Sequence, residues 1–277
     1  MNFESVPEVS ALKREEQLSA VTFWGSRFNF LMAHNGLRPA RVHWLLGTTG
    51  SGKTSLMSSI IADSAAEYPV LVILTEETVN RYAPNILKAS PKLNQENLKF
   101  ISEREIPASA RGDQKKLITW LETRIVEAGV RLVFWDNITT SSLFSQRFGN
   151  AGQEETVLRI RDLAESLEVA FFIAIHTEKK VTDNMGRLIM GEDVRGTQQS
   201  FIGADFFYIL QRFEVGNVFY PFIRTVKHRG YEPKDKIHLL HFGNGIYIKD
   251  TASNFDKMNE VFCHRNVLGK QKKTRDE

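Results

Sequence analysis

The stretch that decides the fold of this chain is residues 42–66, VHWLLGTTGSGKTSLMSSIIADSAA. A short apolar run comes first, a helix-forming segment comes last, and Gly47–Thr54 between them fits G-x-x-x-x-G-K-[ST] completely. Glycines let such a loop wrap phosphates with successive backbone N–H groups, and the N-terminus of the next helix adds its dipole. We therefore predict a phosphate loop (residues 47–54). The predicted binding residues are Gly47, Gly50, Ser51, Gly52, Lys53, Thr54 and Ser55.

The chemistry of this pattern assigns ATP and Mg²⁺ as ligands. Lys53 is predicted to contact the β- and γ-phosphates, and the Thr54 hydroxyl to ligate Mg²⁺. A second apolar run, LVFWD at residues 132–136, ends in Asp136, which we predict to hold the Mg²⁺ hydration shell. Without the phosphate loop upstream, an aspartate after a strand would equally open a turn.

Two adjacent carboxylates follow a third apolar run, in VLVILTEE at residues 70–77. One of them, Glu76 or Glu77, can face the γ-phosphate and polarise the attacking water. The alternative is a solvated acidic N-cap for the next helix, which suits Glu77 and Thr78. The pattern leaves both interpretations open.

Apolar strands that alternate with helices predict an α/β fold, with a mostly parallel sheet covered by helices on both faces. The predicted strands are Val42–Leu46, Val70–Leu74, Leu132–Trp135 and Ala170–Ile175. The predicted helices are Thr54–Glu67, Asn80–Lys88, Gln114–Ala128 and Glu154–Leu167. Near the C-terminus, Val218–Val226, Ile237–Phe242 and Gly245–Ile248 predict an appended antiparallel β-meander.

Composition excludes several classes of protein. Hydrophobic residues make up 42% and charged residues 25%, as in an ordinary globular chain. The net charge is +3, and residues 264–277, with five basic and two acidic side chains, account for all of it. Residues 1–263 are therefore formally neutral, which excludes a dense nucleic-acid-coating surface. The single cysteine, Cys263, excludes an intrachain disulfide. With no long apolar run and a polar N-terminus, we expect a cytoplasmic protein without a membrane partner.

The order of these elements resembles the RecA-like core shared by recombinases, KaiC-type ATPases and ring-shaped replicative helicases. The resemblance implies that Glu76 is the catalytic glutamate. AFFIAIHTEKK at residues 170–180 looks like the helicase strand that ends in a γ-phosphate sensor, which implies His176 in that role. The alternative for His176 is a core histidine hydrogen-bonded to backbone. KHRG at residues 227–230 looks like the helicase K-x-R motif, which implies Arg229 as an arginine finger with Lys227 beside it; the alternative is a solvated hairpin turn.

DVRGTQQSFIGADFFYILQR at residues 193–212 resembles the D-L-R-[EG]-S-G…D…R stretch of DnaB-type and phage helicase-primase proteins. Gln198 stands where that family often has glycine. The motif order also resembles the compact single-domain plasmid RepA helicases. The resemblance implies a homohexameric ring with ATP at each subunit boundary, single-stranded DNA in the channel, and a separate primase or helicase loader as a further partner. The implied DNA contacts are Lys179, Lys180, Arg187, Arg195 and Gly196, with an ordinary exposed loop as the alternative.

These observations predict three regions: an N-terminal linker helix or arm (1–20), a RecA-like ATPase domain (21–250) and a basic tail (251–277). The loop at residues 139–152 is a second candidate for the channel. The predicted function is an ATP-hydrolysing hexameric DNA helicase or translocase of phage- or plasmid-type replication. The alternative is a KaiC-like or recombinase-type ATPase that remodels or loads proteins without unwinding DNA.

Overall fold

The computed structural model describes residues 21–22, 36–90, 93–110, 113–141, 149–177, 204–215, 218–228, 237–243 and 246–249. The predicted arm (1–20) and basic tail (251–277) lie outside these residues. The strands are β1 (Val21–Thr22), β2 (Gly36–Leu37), β3 (Arg41–Thr48), β4 (Val70–Leu74), β5 (Leu98–Ser102), β6 (Leu132–Asp136), β7 (Ala170–Thr177), β8 (Phe206–Val215), β9 (Val218–His228), β10 (Ile237–Gly243) and β11 (Ile246–Lys249). The α-helices are α1 (Lys53–Ser64), α2 (Val79–Ala89), α3 (Gln114–Ala128) and α4 (Gly149–Leu167). Short 3-10 helices span Gln95–Asn97, Glu103–Glu105 and Ile138–Thr140.

Among the described residues one nine-stranded sheet organises the fold, in the order β11-β10-β9-β8-β3-β7-β6-β4-β5, and β1 and β2 form a separate two-stranded sheet. The six strands from β8 to β5 in this order run parallel to one another. The pairs β8–β9, β9–β10 and β10–β11 are antiparallel. The predicted α/β class, with a mostly parallel sheet and a C-terminal antiparallel meander, is confirmed.

The central strands are apolar along their whole length because both faces of the sheet are covered. Alternate residues of β4 show this: Val70, Val72 and Leu74 pack with α1 and α2 on one face. Leu71 and Ile73 pack with α3 and α4 on the other. Successive strand residues point to opposite faces, so every side chain of a strand that is covered on both faces lies in the core. Such a strand is therefore apolar at every position.

The sequence prediction missed two strands of the nine-stranded sheet, β5 and β8, as well as the two-residue strands β1 and β2. The edge strand β5 reads LKFIS, and only Ile101 of it is buried, so its apolar pattern is too weak to detect. The strand β8 overlaps the stretch at residues 193–212, which was interpreted only as a sequence motif. In addition, α4 begins at Gly149 rather than Glu154, which shortens the loop predicted at residues 139–152.

Asp205 joins the beginnings of β3 and β8. Its Oδ2 accepts a hydrogen bond from the Val42 N–H at 3.0 Å, and its own N–H donates to the Val42 carbonyl at 3.2 Å. The side chain is 1% exposed. Asp205, which belongs to the motif at residues 193–212, therefore links the phosphate-loop strand β3 to β8 through buried hydrogen bonds.

We predict that Asp205→Ala lowers the free energy of unfolding by about 2–3 kcal/mol, because a buried N–H loses a charged acceptor. Asp205→Asn keeps an acceptor and should lose about half as much. Chemical denaturation followed by circular dichroism measures both. Asp162→Ala, on the exposed face of α4, is the matched control and should stay within about 0.5 kcal/mol of the unaltered chain. An Asp205→Ala variant as stable as this control would contradict the stabilising role of Asp205.

Candidate active site

The predicted site residues come from the carboxyl ends of four parallel strands. In the sheet order β3-β7-β6-β4, the phosphate loop follows β3, His176 lies near the end of β7, Asp136 ends β6, and Glu76 follows β4. Parallel strands carry their carboxyl ends to one edge of the sheet, where ligands of open α/β sheets bind. The fold thus brings together side chains that are up to 123 positions apart in the sequence, from Lys53 to His176.

The phosphate loop is shaped by its glycines. Gly50 has a φ of +73° and Gly52, the N-cap of α1, a φ of +97°, a region of backbone space that glycine adopts without strain. Gly47 is needed for a different reason: a Cβ there would lie 2.5 Å from Ser51 Oγ and 2.7 Å from the Leu210 carbonyl oxygen. The loop therefore turns tightly and packs against β8.

Lys53 is only 3% exposed. Its Nζ donates to the carbonyl oxygens of Gly47 at 2.7 Å and Thr48 at 2.9 Å. Burial lowers the pKa of Lys53 to about 8, against the opposing effect of the carboxylates of Asp136 and Glu76. The side chain is therefore still mostly an ammonium at neutral pH, and it lies on the loop that would enclose the phosphates.

Thr54 and Asp136 form the oxygen pair predicted to ligate Mg²⁺. The Thr54 hydroxyl donates to Asp136 Oδ2 at 2.8 Å. Burial raises the pKa of Asp136, while interactions with Thr54, Tyr82 and Lys53 oppose that rise. Hydroxyl and carboxylate oxygens are the hard ligands that Mg²⁺ takes alongside water and substrate phosphates, so the residues present fit this ion. Within the described ranges no three His, Cys, Asp or Glu side chains cluster as an all-protein metal cage would require.

Glu76 and His176 face each other at the mouth of the site, with Glu76 Oε2 3.8 Å from His176 Nε2. Burial lowers the pKa of His176, the charge of Lys53 lowers it further, and Glu76 opposes both. The imidazole is therefore neutral at physiological pH. Its Nδ1 has no hydrogen-bond partner among the described residues. Glu77 is exposed, and the N-cap of α2 is Thr78, which makes no side-chain capping bond.

The structure adds four residues that sequence reasoning left out of the site. Tyr82 is buried on α2 and interacts with Asp136, but a buried tyrosine on an apolar helix face looks like core. Thr75 and Thr139 hydrogen-bond around the ends of β4, β6 and β7, which no sequence pattern indicates. Arg212 was quoted only as part of a motif; its Nη2 lies 3.5 Å from where a Gly50 Cβ would be.

The remaining predicted contacts include residues that the structure does not describe. Lys179, Lys180, Arg187, Arg195, Gly196 and Arg229 lie outside the described residues. Lys227 lies in β9, in register with Phe207 of β8. Ser55 lies in the first turn of α1, where its carbonyl oxygen accepts from the Ser59 hydroxyl at 3.0 Å.

We predict that Gly47→Ala weakens binding of a non-hydrolysable ATP analogue about tenfold or more. The added methyl meets a backbone carbonyl that cannot move cheaply, and overpacking of this kind costs about 1–3 kcal/mol, where about 1.4 kcal/mol is a factor of ten. Fluorescence titration measures the dissociation constant.

Gly129→Ala is the matched control for that substitution. Gly129 ends α3 with a φ of +60°, and no atom lies within 4 Å of its added Cβ. The control should lower the free energy of unfolding by about 1 kcal/mol and leave nucleotide affinity unchanged. Equal losses of affinity in the two variants would mean that lowered stability, rather than the shape of the loop, causes the effect.

Comparison with known proteins agrees with this geometry. Residues 30–181 match a family model described as AAA domain, which covers more than half of the 277 residues. A search of curated proteins found no match. Among the described residues, no helix has the length and hydropathy needed to cross a membrane. The chain belongs to the AAA domain family of P-loop ATPases, a type of domain found in RecA-like helicases.

Proposed function

We propose that this chain is the motor subunit of a hexameric DNA helicase or translocase that hydrolyses ATP while moving on single-stranded DNA, in replication of phage or plasmid type. The observation that carries the proposal is the convergence of Lys53, Thr54, Asp136, Glu76 and His176 on one sheet edge. The motif order along the chain supports the helicase assignment within the family.

Hydrolysis follows from the placement of these groups. Lys53 is poised to exchange its two carbonyl partners for phosphate oxygens, since its ammonium already lies on the loop. Thr54 and Asp136 would hold Mg²⁺, which when bound supplies positive charge to the β- and γ-phosphates. The Glu76 carboxylate, exposed at the mouth, orients and polarises the attacking water.

His176 supports a route from the nucleotide to DNA. The neutral imidazole next to Glu76 is able to donate a hydrogen bond to the γ-phosphate and to lose it on hydrolysis. It lies near the end of β7, directly before the segment that carries Lys179, Lys180 and Arg187. A few basic side chains per subunit, repeated around a channel, are enough to bind a DNA backbone from a neutral protein body.

The position of Lys227 supports an ATP site that is completed by a neighbouring subunit. Because β8 is parallel to β3, its amino end lies at the sheet edge opposite the phosphate loop. The antiparallel register pairs Lys227 with Phe207 at that far end. In the proposed ring, Lys227 and Arg229, two residues further along the sequence, would act on the ATP site of the neighbouring subunit rather than on their own.

We predict that Glu76→Gln lowers kcat for ATP hydrolysis by about 10²–10⁴-fold while nucleotide affinity stays close to that of the unaltered chain, since the isosteric amide cannot polarise water. A phosphate-release assay and fluorescence titration measure the two quantities. Glu77→Gln, one residue along and exposed, should keep kcat within about threefold. A reversal, with Glu77→Gln inactive and Glu76→Gln active, would move the catalytic role to Glu77.

We expect single-stranded DNA to stimulate ATP hydrolysis, a forked duplex to be unwound, and six-fold rings to be visible by negative-stain microscopy with an ATP analogue. Lys179→Ala/Lys180→Ala should lose most of the stimulation. Lys115→Ala/Lys116→Ala, which removes two exposed lysines of α3, should keep it. Hydrolysis without any stimulation by DNA would refute the helicase and favour an ATPase that remodels proteins.

A further inference from the structure

A short turn directly after Asp136 connects three of the strand ends at the active site. This turn, residues 137–140, contains the 3-10 helix Ile138–Thr140. Its N-cap is Asn137, whose Oδ1 accepts from the Thr140 N–H at 3.3 Å. The Ile138 side chain is fully buried and anchors the turn in the core. The turn is thus a fixed platform at the end of β6.

Thr75, the residue before Glu76, is hydrogen-bonded both to Asp136 at the end of β6 and to this platform. Its backbone N–H donates to the Asp136 carbonyl at 3.2 Å. Its hydroxyl donates to the Asn137 carbonyl at 2.7 Å and accepts from the Asn137 N–H at 3.0 Å. The Thr140 hydroxyl is a further hydrogen-bond partner, 3.1 Å from Thr75 Oγ1.

Thr139 binds the same platform to β7. Its Oγ1 accepts the backbone N–H of His176 at 2.8 Å. The Glu76 and His176 side chains then meet at 3.8 Å, although they leave strands that are separated in the sheet by β6. The distance between the two side chains therefore depends on how both strand ends are fixed to residues 137–140.

We propose that Thr75 and Thr139 are positioning residues, whose hydroxyls hold Glu76 and His176 in the geometry needed for ATP hydrolysis. Glu76 is exposed, so packing alone does not fix where its carboxylate lies. Displacement of a catalytic group by about 1 Å costs about 10²-fold in rate in other enzymes. This inference rests on the proposed function of the site as an ATPase in which Glu76 acts on water.

The test compares Thr75→Val with Thr75→Ser in the full chain, measuring kcat and KM for ATP hydrolysis and the dissociation constant of a fluorescent ADP analogue. Valine keeps the shape and removes the hydroxyl, so kcat should fall about tenfold or more while KM and the dissociation constant change less than about threefold. Serine keeps the hydroxyl and should restore kcat to within about threefold. Thr139→Val and Thr139→Ser should show the same pair of results.

Thr123→Val is the matched control. Thr123 lies on the exposed face of α3, and its hydroxyl donates to the Thr119 carbonyl at 2.9 Å, so the same chemical change is made away from the site. It should leave kcat and KM unchanged. If Thr75→Val does not yield folded protein, the Thr139 pair, on the exposed side of the turn, carries the test.

The outcomes distinguish failure of the positioning role from failure of the proposed ATPase function. If Glu76→Gln abolishes hydrolysis but Thr75→Val and Thr139→Val keep kcat within about twofold, the positioning role is wrong and the ATPase stands. If serine fails to restore what valine removes, side-chain volume rather than the hydroxyl is responsible, and the proposal is also wrong. If the unaltered chain does not hydrolyse ATP, the proposed function fails first.

Discussion

The ammonium group of Lys53 is almost fully buried beneath the phosphate loop, and the surrounding structure must stabilise its charge. Two loop carbonyls accept its hydrogen bonds, and burial alone would favour the neutral amine. The carboxylates of Asp136 and Glu76 oppose that tendency. They reach Lys53 from β6 and β4, which are not neighbours of β3, so the charge balance of the site depends on the order of strands in the sheet.

The same order of strands explains why the imidazole of His176 is neutral. Its strand, β7, lies between β3 and β6, so the imidazole stands between the positive charge of Lys53 and the negative charge of Glu76. Burial and the lysine outweigh the glutamate and keep the ring neutral. A neutral imidazole retains one donor and one acceptor, and so it can exchange hydrogen bonds without the cost of moving a buried charge.

Threonine hydroxyls complete the site without adding charge. Thr54 contacts Asp136, Thr75 contacts Asn137, and Thr139 contacts the backbone of His176. Each hydroxyl pairs polar groups that would otherwise lose hydrogen bonds at the strand ends, where the ladder of the sheet stops. The electrostatic field of the site is therefore set by a few ionisable groups, while neutral groups determine their geometry.

Local pattern was sufficient for the α/β class, for the phosphate loop and for the acids at the ends of β4 and β6, because a glycine-rich turn between an apolar strand and a helix leaves few alternatives. The edge strand β5 and the strand β8 were missed, because an edge strand buries few residues and β8 carries Gln211 and Arg212 in its apolar run. The contacts of Thr75, Thr139, Tyr82 and Asp205 join positions far apart along the chain, and no period of the sequence encodes them. The sequence by itself determined which groups are available for phosphate chemistry. Only the tertiary structure decided which of them meet, because the order of parallel strands is set by the packing of both sheet faces and not by local preference.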